Sequence, residues 1–228
     1  MLSHTTNFTS PQNLGRKVRF APPAATHDLT DTFYMMGAPM SFVRNAEIYG
    51  ENEPAEYLYK LVSGTVRTSK ILNDGRRQIG AFYLPGDVFG LEIGEQHQMS
   101  AEAVCSCTVS VIKRSSLANL AKGDNGIAQA LWTLTARELQ RVQKHVLLLV
   151  RTAQERVASF LLEMADRTAG AGLVELPMSR QDIADYLGLT IETVSRTLTL
   201  LEGQAAIALP SARRVQLTNL RELRRLDS

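Results

Sequence analysis

Three side chains that can hydrogen-bond to nucleic-acid bases recur on one face of a short segment near the C-terminus. Glu192, Ser195 and Arg196 are separated by three and four residues, a spacing that places them on one side of a helix. Arginine can donate two hydrogen bonds to guanine O6 and N7, glutamate can accept one from cytosine N4, and serine can do either. The alternative is a solvated helix surface on which Glu192 and Arg196 form an ion pair. Spacing by itself leaves both interpretations open.

The segment that carries these residues predicts two short helices. It reads SRQDIADYLGLTIETVSRTLTLLE from residue 179 to residue 202. Ser179 and Asp182 resemble a capping box at the start of the first helix. Gly188 can adopt the left-handed conformation that ends a helix, and Thr190 can cap the second helix. Two short helices joined by a glycine turn are typical of a helix-turn-helix, whose second helix enters the DNA major groove. The residues expected to face inward are Ile183, Ala184 and Leu187 on the first helix, and Ile191, Val194, Leu198 and Leu201 on the second.

A β-hairpin is predicted directly after this helix pair. The stretch AAIALPSARRVQL (205–217) indicates two short strands around a turn at Pro210 and Ser211, with Arg213 and Arg214 just past the turn. Arginine on a hairpin beside a helix-turn-helix is suited to contact a phosphate, and we expect this role for Arg213.

The middle of the chain predicts a β-rich domain. A short lead-in helix is expected from about Asp28 to Met40, and short strands bounded by turn residues fill 41–114. Asp74-Gly75, between two strand-like runs, is a strong hairpin signal. In VCSCTVSVI, Cys105 and Cys107 alternate with polar residues, which predicts that both thiols point to the apolar face of one strand. A metal or redox pair is the alternative, but it lacks a second pair of ligands.

A long helix is predicted from about 124 to 151. Leu139, Val142, Val146 and Leu149 follow a heptad-like spacing, so they form an apolar seam along it. A helix with apolar residues on more than one side needs more than one cover. The β-domain can supply one cover, and a second copy of the same helix can supply the other. The alternative is a helix buried within a monomer. A further helix is expected over about 153–168, followed by a short strand at LVEL.

Composition excludes several classes of protein. The 228 residues are 44% hydrophobic, with a net charge of +2, and residues 151–228 hold ten Arg, no Lys and ten acidic residues. Nucleic-acid binding therefore depends on local geometry rather than on bulk charge. No apolar run is long enough to suggest a membrane span, and the first residues lack the apolar core of a secretory signal. The two cysteines favour a reducing cytoplasm. The four histidines are scattered and form no metal motif. No nucleophile, metal or phosphate-binding motif suggests an enzyme.

The sequence LGLTIETVSRTLTLLE closely resembles the recognition region of the CRP/FNR family of bacterial transcription regulators. GENEPAEYLYKLVSGTVR and DGRRQIGAFYLPGDVFG resemble the β-roll of that family, and 124–151 resembles its dimerisation helix. The resemblance implies an α+β fold with a β-roll similar to a cyclic-nucleotide-binding domain, a long dimerisation helix and a winged helix-turn-helix domain. The expected limits are a tail at 1–28, the β-roll at 29–123, the helix at 124–151 and the DNA-binding domain at 152–228.

The resemblance also assigns roles at the candidate DNA interface. Glu192, Ser195 and Arg196 match the positions of the family that contact bases. Ser195 matters further, because CRP-like members carry glycine there and arginine at the position of Ile191. The chain therefore resembles the FNR branch, whose half-site is TTGAT in a palindrome with ATCAA. The positions that match phosphate contacts of the family are Ser179, Arg180, Thr190 and Thr193.

Two departures from the family concern its ligands. The arginine and the glutamate that hold a cyclic nucleotide are replaced by Met99 and Leu91, and an unpaired buried phosphate is very costly. We therefore expect no cAMP binding of the usual kind. An FNR-type iron–sulfur cluster needs four cysteines, and the chain has only Cys105 and Cys107. Regulators of the FixK type lack both devices and control genes for low-oxygen growth and nitrogen fixation, and the chain most resembles these.

The sequence therefore predicts a homodimeric transcription regulator of the FixK type. Its expected partners are palindromic double-stranded DNA, a second copy of the chain and RNA polymerase, with activation the expected outcome. No cofactor, no metal and no membrane is expected. Two alternatives stay open: a regulator of the same family that senses an unidentified ligand such as haem, and a ligand-binding module that acts on a protein partner instead of DNA.

Overall fold

A computed structural model describes residues 29–168 and 172–227. The predicted tail at 1–28 lies outside the described residues. The N-terminal half begins with helix α1 (Leu29–Met36), which leads into a roll of eight short strands. Their bounds are β1 Ala38–Phe42, β2 Glu47–Tyr49, β3 Tyr57–Ser63, β4 Val66–Ile71, β5 Arg77–Tyr83, β6 Val88–Phe89, β7 Ser100–Ala103 and β8 Cys107–Lys113. They form two four-stranded sheets in the orders β1-β8-β3-β6 and β2-β7-β4-β5, in which neighbouring strands pair antiparallel.

The hairpin predicted at Asp74-Gly75 is confirmed. β4 and β5 pair antiparallel, with Ile71 opposite Arg77 at the end of the ladder. Gly75 has a φ of 83°, a left-handed conformation that glycine adopts without the penalty of a Cβ. The turn joins these two strands and places Arg77 where the hairpin faces the C-terminal domain.

Two boundaries in the β-roll differ from the sequence prediction. The lead-in helix ends at Met36 rather than Met40, because Ala38–Phe42 pairs with the edge of β8. Cys105 lies in a bend before β8 and is only half buried, so just Cys107 points into the apolar interior. The expected alternation of buried apolar and exposed polar residues along this strand was wrong, because both faces of β8 are covered. The roll interior covers one face and α1 covers the other.

The β-roll continues into two helices, α2 (Arg114–Gly123) and α3 (Asn125–Leu148). The side chain of Asp124 accepts hydrogen bonds from the backbone N–H groups of Gly126 and Ile127, which caps α3. The predicted long helix is confirmed, and along its outer side Leu139, Val142 and Val146 are exposed. They are therefore uncovered in a single chain.

The C-terminal domain combines four helices with a three-stranded sheet in the order β10-β11-β9. Its elements are α4 Ala153–Arg167, β9 Leu173–Glu175, α5 Arg180–Leu187, α6 Ile191–Gly203, β10 Ile207–Ser211, β11 Arg214–Leu217 and α7 Leu220–Asp227. The helix and the short strand predicted at 153–168 and LVEL are thus both present. The core of this domain is continuous with residues of β5 such as Ile79 and Phe82, so the two halves of the chain share one apolar cluster.

Within the described ranges, no helix is long and apolar enough to cross a membrane. The same residues contain no group of three or more His, Cys, Asp or Glu side chains placed to hold a metal ion.

Candidate nucleic-acid interface

The first helix of the pair, α5, begins with the predicted capping box. The side chain of Ser179 accepts from the Asp182 N–H at 3.0 Å, and the Asp182 carboxylate accepts from the Ser179 N–H at 3.0 Å. Gly188 ends the helix with a φ of 61°, the left-handed conformation that the sequence required. At the start of α5, the capping box thus gives hydrogen-bond partners to the backbone N–H groups of Ser179 and Asp182, which the helix itself leaves unpaired.

The second helix, α6, begins at the predicted cap. Thr190 accepts from the Thr193 N–H at 3.2 Å. Val194, Leu198 and Leu201 are buried as expected, but Ile191 is 37% exposed. Ile191 occupies the first turn, which projects beyond the core, so its expected inward orientation was wrong. The apolar face of α6 starts one turn later, and its first turn is left open to contact a partner.

The predicted base-reading residues lie together on the exposed side of α6. Glu192, Ser195 and Arg196 are all exposed. The Ser195 hydroxyl donates to the Ile191 carbonyl at 2.8 Å and keeps its lone pairs free to accept. In the described part of the chain, Arg196 makes no hydrogen bond and no ion pair within 4.0 Å, so the alternative of a Glu192–Arg196 ion pair is not formed.

Glu192 is fully exposed and is held in its ionised form. Hydrogen bonds from its own backbone N–H and from Thr190, with the positive charge of Arg196 in support, lower the pKa of its carboxyl group. An ionised carboxylate is an acceptor only, which suits it to the amino group of cytosine rather than to a base acceptor.

Residues predicted to contact phosphate flank this face. Arg180, at the first position of α5, is half buried, and its Nη1 has no hydrogen-bond partner among the residues that the structure describes. Burial lowers the pKa of this guanidinium, so an anion at this point would compensate for its lost hydration. Thr190 and Thr193 lie in the first turn of α6, with their hydroxyl oxygens 3.1 Å apart. The N–H group and one hydroxyl lone pair of Ser179 are used in the capping box, and its hydroxyl hydrogen can still donate to a phosphate.

The hairpin beside the helix pair differs in register from the sequence prediction. Pro210 and Ser211 belong to β10, and the turn consists of Ala212 and Arg213. A shift in register between Ala208 and Ser211 allows the strand to run past the proline. Arg213 therefore lies at the exposed tip of the hairpin. Arg214 instead pairs with Glu175 at 2.8 Å, so Arg213 is the better placed of the two for a phosphate.

Sequence reasoning missed the residue that ties the helix pair to the rest of its domain. Arg156, on α4, donates from Nη1 to the carbonyl oxygen of Leu187 at 2.8 Å and of Gly188 at 3.3 Å. Its Nε donates to the carbonyl oxygen of Arg151 at 2.8 Å. One guanidinium thus satisfies the open carbonyl end of α5. No local pattern signals such a contact, because the partners are about thirty residues apart in sequence.

The lining of the β-roll interior disfavours a cyclic nucleotide. Aromatic rings fill it: Tyr59 stacks on Phe89 with centroids 5.1 Å apart, and Tyr49 stacks on His97 at 3.6 Å. The side chain of Met99 lies so close to Gly80 that a Cβ built there would be 2.7 Å from its sulfur. An uncharged thioether at this place cannot neutralise a phosphate. Leu91 packs outside this cluster, in the apolar group that contains α1.

Both halves of the chain match known protein families. Residues 39–124 match the model of the cyclic nucleotide-binding domain, and residues 155–226 match that of the Crp-like helix-turn-helix domain. The nitrogen fixation regulation protein FixK of Azorhizobium caulinodans is 57% identical over 199 residues, which are 85% of this chain and 80% of that protein. FixK of Rhizobium meliloti is 40% identical over 83% of this chain and 90% of its own length. The solved structure of FixK2 from Bradyrhizobium japonicum superimposes with a TM-score of 0.82 at 54% identity, covering 85% of this chain and 98% of that one.

Proposed function

The chain belongs to the CRP/FNR family of DNA-binding transcription regulators, in its FixK-type branch, and we propose that it binds a TTGAT–ATCAA-like palindrome as a homodimer without a small-molecule effector. Its relatives are transcription regulators rather than enzymes. The finer parts of this proposal are the target sequence, the dimer and the independence from a ligand. Each is supported by a different part of the molecule.

The observation that carries the proposal is the open polar face of α6. Arg196 is exposed, makes no hydrogen bond or ion pair within the described residues, and lies one turn from the ionised carboxylate of Glu192. A guanidinium and a carboxylate at this spacing match the guanine and the cytosine of one base pair, because the first donates to O6 and N7 and the second accepts from N4. TTGAT contains one such G·C pair.

The exposed seam on α3 supports a homodimer. Leu139, Val142 and Val146 form an apolar stripe at heptad spacing, and Trp132, one heptad before Leu139, extends it with a side chain that is 76% exposed. A stripe of this length is costly to leave in water, and a second copy of α3 covers it with identical residues. Leu149 differs from the others, because it is half buried and its Cδ2 lies 3.5 Å from a Cβ built at Gly188.

The filled β-roll supports effector independence. The interior of the roll holds the packed rings of Tyr49, Tyr59 and Phe89, and Met99 stands where the family resemblance expects the phosphate-binding arginine. The same packing argues against a haem in this interior. A low-oxygen or nitrogen-fixation role, contact with RNA polymerase, activation of transcription and a cytoplasmic location complete the proposal, and they are supported by the nature of the FixK relatives.

A binding assay of the purified, ligand-free protein on a TTGAT–ATCAA duplex tests the proposal. We expect binding by one dimer, with a scrambled duplex of equal length bound far more weakly. Specific binding that needs an added ligand would contradict effector independence. Equal binding to both duplexes would contradict the proposed target, and a lack of any duplex binding would favour a module that acts on a protein partner.

A further inference from the structure

A buried ionic cluster joins the β-roll to the first helix of the helix-turn-helix. Asp182 of α5 is only 4% exposed, and its Oδ1 accepts from Arg67 Nη1 at 2.9 Å and from Arg77 Nη2 at 2.6 Å. Arg77 Nε also donates to Asp185 Oδ2 at 2.7 Å. Both arginines come from the β4–β5 hairpin, and both aspartates come from α5. The contact therefore spans the boundary between the two halves of the chain.

The cluster is anchored on the β-roll side. Arg67, which is 9% exposed, donates from Nε at 3.0 Å and from Nη2 at 2.6 Å to Glu102 Oε2 on β7. Its guanidinium is thus fixed by the sheet before it reaches α5. On the other side, Asp182 uses Oδ2 for the capping box, so its carboxylate cannot turn away without uncapping α5.

Buried charges of this kind select an orientation more than they add stability. Removing charges from water is costly, and the cost is recovered only where the geometry is close to ideal. A guanidinium binds carboxylates through donors in a rigid plane, so a small rotation of α5 would separate several charged partners together. Apolar contacts tolerate sliding far better. Beside the cluster, α5 makes one such contact, in which the Tyr186 ring lies 5.2 Å from that of Phe82 on β5.

The face that the cluster orients is the candidate DNA interface. Asp182 is the third residue of α5 and lies two residues after Arg180, which with Ser179 is a proposed phosphate contact. Because α5 packs on α6, the orientation of α5 relative to the β-roll also sets that of Glu192, Ser195 and Arg196. The β-roll in turn is fixed to α3 through the guanidinium of Arg141, which lies over the Tyr83 ring.

We propose that Arg67 and Arg77 are positioning residues for DNA binding, which hold the helix-turn-helix at one angle to α3 and so set the spacing between the two half-sites that a dimer can bind. In this way the β4–β5 hairpin fixes the orientation of the helix-turn-helix without a bound ligand. The inference rests on the proposed function for its dimer and palindrome, but the positioning itself is a property of one chain.

Replacement of the positioning charges tests the inference. Arg77→Met keeps an unbranched side chain and removes its charge. Arg76→Met is the matched control, because exposed Arg76 forms its ion pair with Asp74 on the hairpin turn, away from α5. Binding is measured on the palindrome, on palindromes with the half-sites moved by about one base pair, and on a single half-site. We expect Arg77→Met to lose about tenfold affinity at the preferred spacing, because only a minor fraction of the molecules would then hold the orientation that binds both half-sites. Its affinity for the single half-site should be unchanged.

Rescue separates positioning from general stability. The conservative variant Arg77→Lys keeps a positive charge beside Asp182 and Asp185 across the boundary. We expect it to recover the spacing preference that Arg77→Met loses. A loss of equal size on the palindrome and on the single half-site, or a spacing preference unchanged by Arg77→Met, would overturn the inference.

A measurement without DNA keeps the inference distinct from the proposed target. Spin labels at the exposed positions Val62 and Leu200, in a Cys105→Ser background, report the distance between β-roll and α6. We expect a narrow distribution in the parent protein and in Arg76→Met, and a broad one in Arg77→Met. If no palindrome is bound but the distribution broadens, the target is wrong and the positioning role stands. If the distribution stays narrow in Arg77→Met, the positioning role is refuted whatever the DNA result.

Discussion

The guanidinium carbon of Arg141 lies 4.5 Å from the centre of the Tyr83 ring, so the long helix α3 closes the side of the β-roll with a cation–π contact. Glu138, one turn earlier, pairs with Arg141 and accepts from the Tyr83 hydroxyl at 3.4 Å. Burial, opposed in part by Arg141, raises the pKa of Tyr83 to about 12, so this hydroxyl stays protonated. The wall of the roll that faces α3 is therefore occupied by the protein's own side chains.

This closed interior predicts that cAMP does not bind. Calorimetry of the parent protein should show no heat of binding in the micromolar range, and cAMP should leave DNA affinity unchanged. The variant Met99→Arg is the stringent case, because it restores a cation for the phosphate. We expect it to remain inactive towards cAMP, since Tyr49, Tyr59 and Phe89 still fill the interior. A cAMP-dependent rise in DNA affinity of the parent protein would refute effector independence.

The exposed seam on α3 predicts a dimer that a single charge disrupts. Val146→Asp places two like charges face to face in the seam, where they are partly removed from water. Sedimentation at micromolar concentration should show a monomer, and affinity for the palindrome should fall. Gln140→Asp is the matched control, because Gln140 is exposed on the same helix and lies outside the seam. A Val146→Asp protein that sediments as a dimer would mean that the seam is assigned wrongly.

Much of this interface could be predicted because its signals are local. The capping box of Ser179 and Asp182, the glycine stop at Gly188 and the cap at Thr190 each depend on residues a few positions apart, and each is present. Local signals fail where tertiary packing decides. Ile191 has the spacing of a core residue but lies beyond the core, and Cys105 has the alternation of a strand but lies in a bend.

Contacts between distant segments left no trace in the sequence pattern. The clearest cases are Arg67 and Arg77, which meet Asp182 from more than one hundred positions away. A charged residue in a strand is ordinarily read as solvated, and only the fold brings these charges together. The structure therefore adds what holds the helix pair in place, whereas the sequence indicated what the pair contacts.

Arg156 predicts a measurable contribution to the stability of the DNA-binding domain. Its hydrogen bonds to the Leu187 and Gly188 carbonyls pair the C-terminal end of α5. A hydrogen bond from a charged group contributes about 1.5–3 kcal/mol to the stability of the folded state. Arg156→Met should therefore lower the free energy of unfolding by roughly 2 kcal/mol. Urea denaturation measures it, with Gln154→Met, at an exposed contact on the same helix, as control. An Arg156→Met protein as stable as the parent would show that water replaces the lost donor.

The ionic cluster predicts a loss of stability in acid. Burial raises the pKa of Asp182, but hydrogen bonds from Ser179 and the charges of Arg67 and Arg77 outweigh it, so the pKa lies below its ordinary value. The folded state then favours the ionised form. This stabilisation is complete above the pKa of an unfolded aspartate, about 4, and is lost as the pH falls through the lower folded value.

Denaturation by urea across that range provides the measurement. Between roughly pH 6 and pH 3 the parent protein should lose stability more steeply than Asp182→Asn, which cannot ionise at this position. Glu102 and Asp185, which pair with the same arginines, are present in both proteins. Parallel slopes for the two proteins would show that Asp182 has no lowered pKa in the folded state.

The open face of α6 predicts which base pair each side chain reads. Arg196 has the geometry for a bidentate contact with the guanine of TTGAT, and Glu192 can accept from the paired cytosine. Arg196→Ala should weaken binding by about 1–3 kcal/mol per half-site and should relax discrimination at that base pair. Arg180→Ala should instead weaken all sequences alike and reduce the salt dependence by roughly one charge per half-site, because phosphates are the same at every base pair.

The two variants are separated by a single set of binding measurements. Affinity is determined for the palindrome and for duplexes in which the G·C pair is replaced, each at low and at high salt. Arg196→Ala should bind all of these duplexes with nearly equal affinity, whereas Arg180→Ala should keep the preference of the parent protein. Since Arg196 makes no hydrogen bond or ion pair within the described residues, its removal breaks no such contact inside the protein, and besides the DNA contact only its electrostatic support of Glu192 is lost. An equal loss for every duplex with Arg196→Ala would make Arg196 a phosphate contact and move the base-reading face elsewhere on α6.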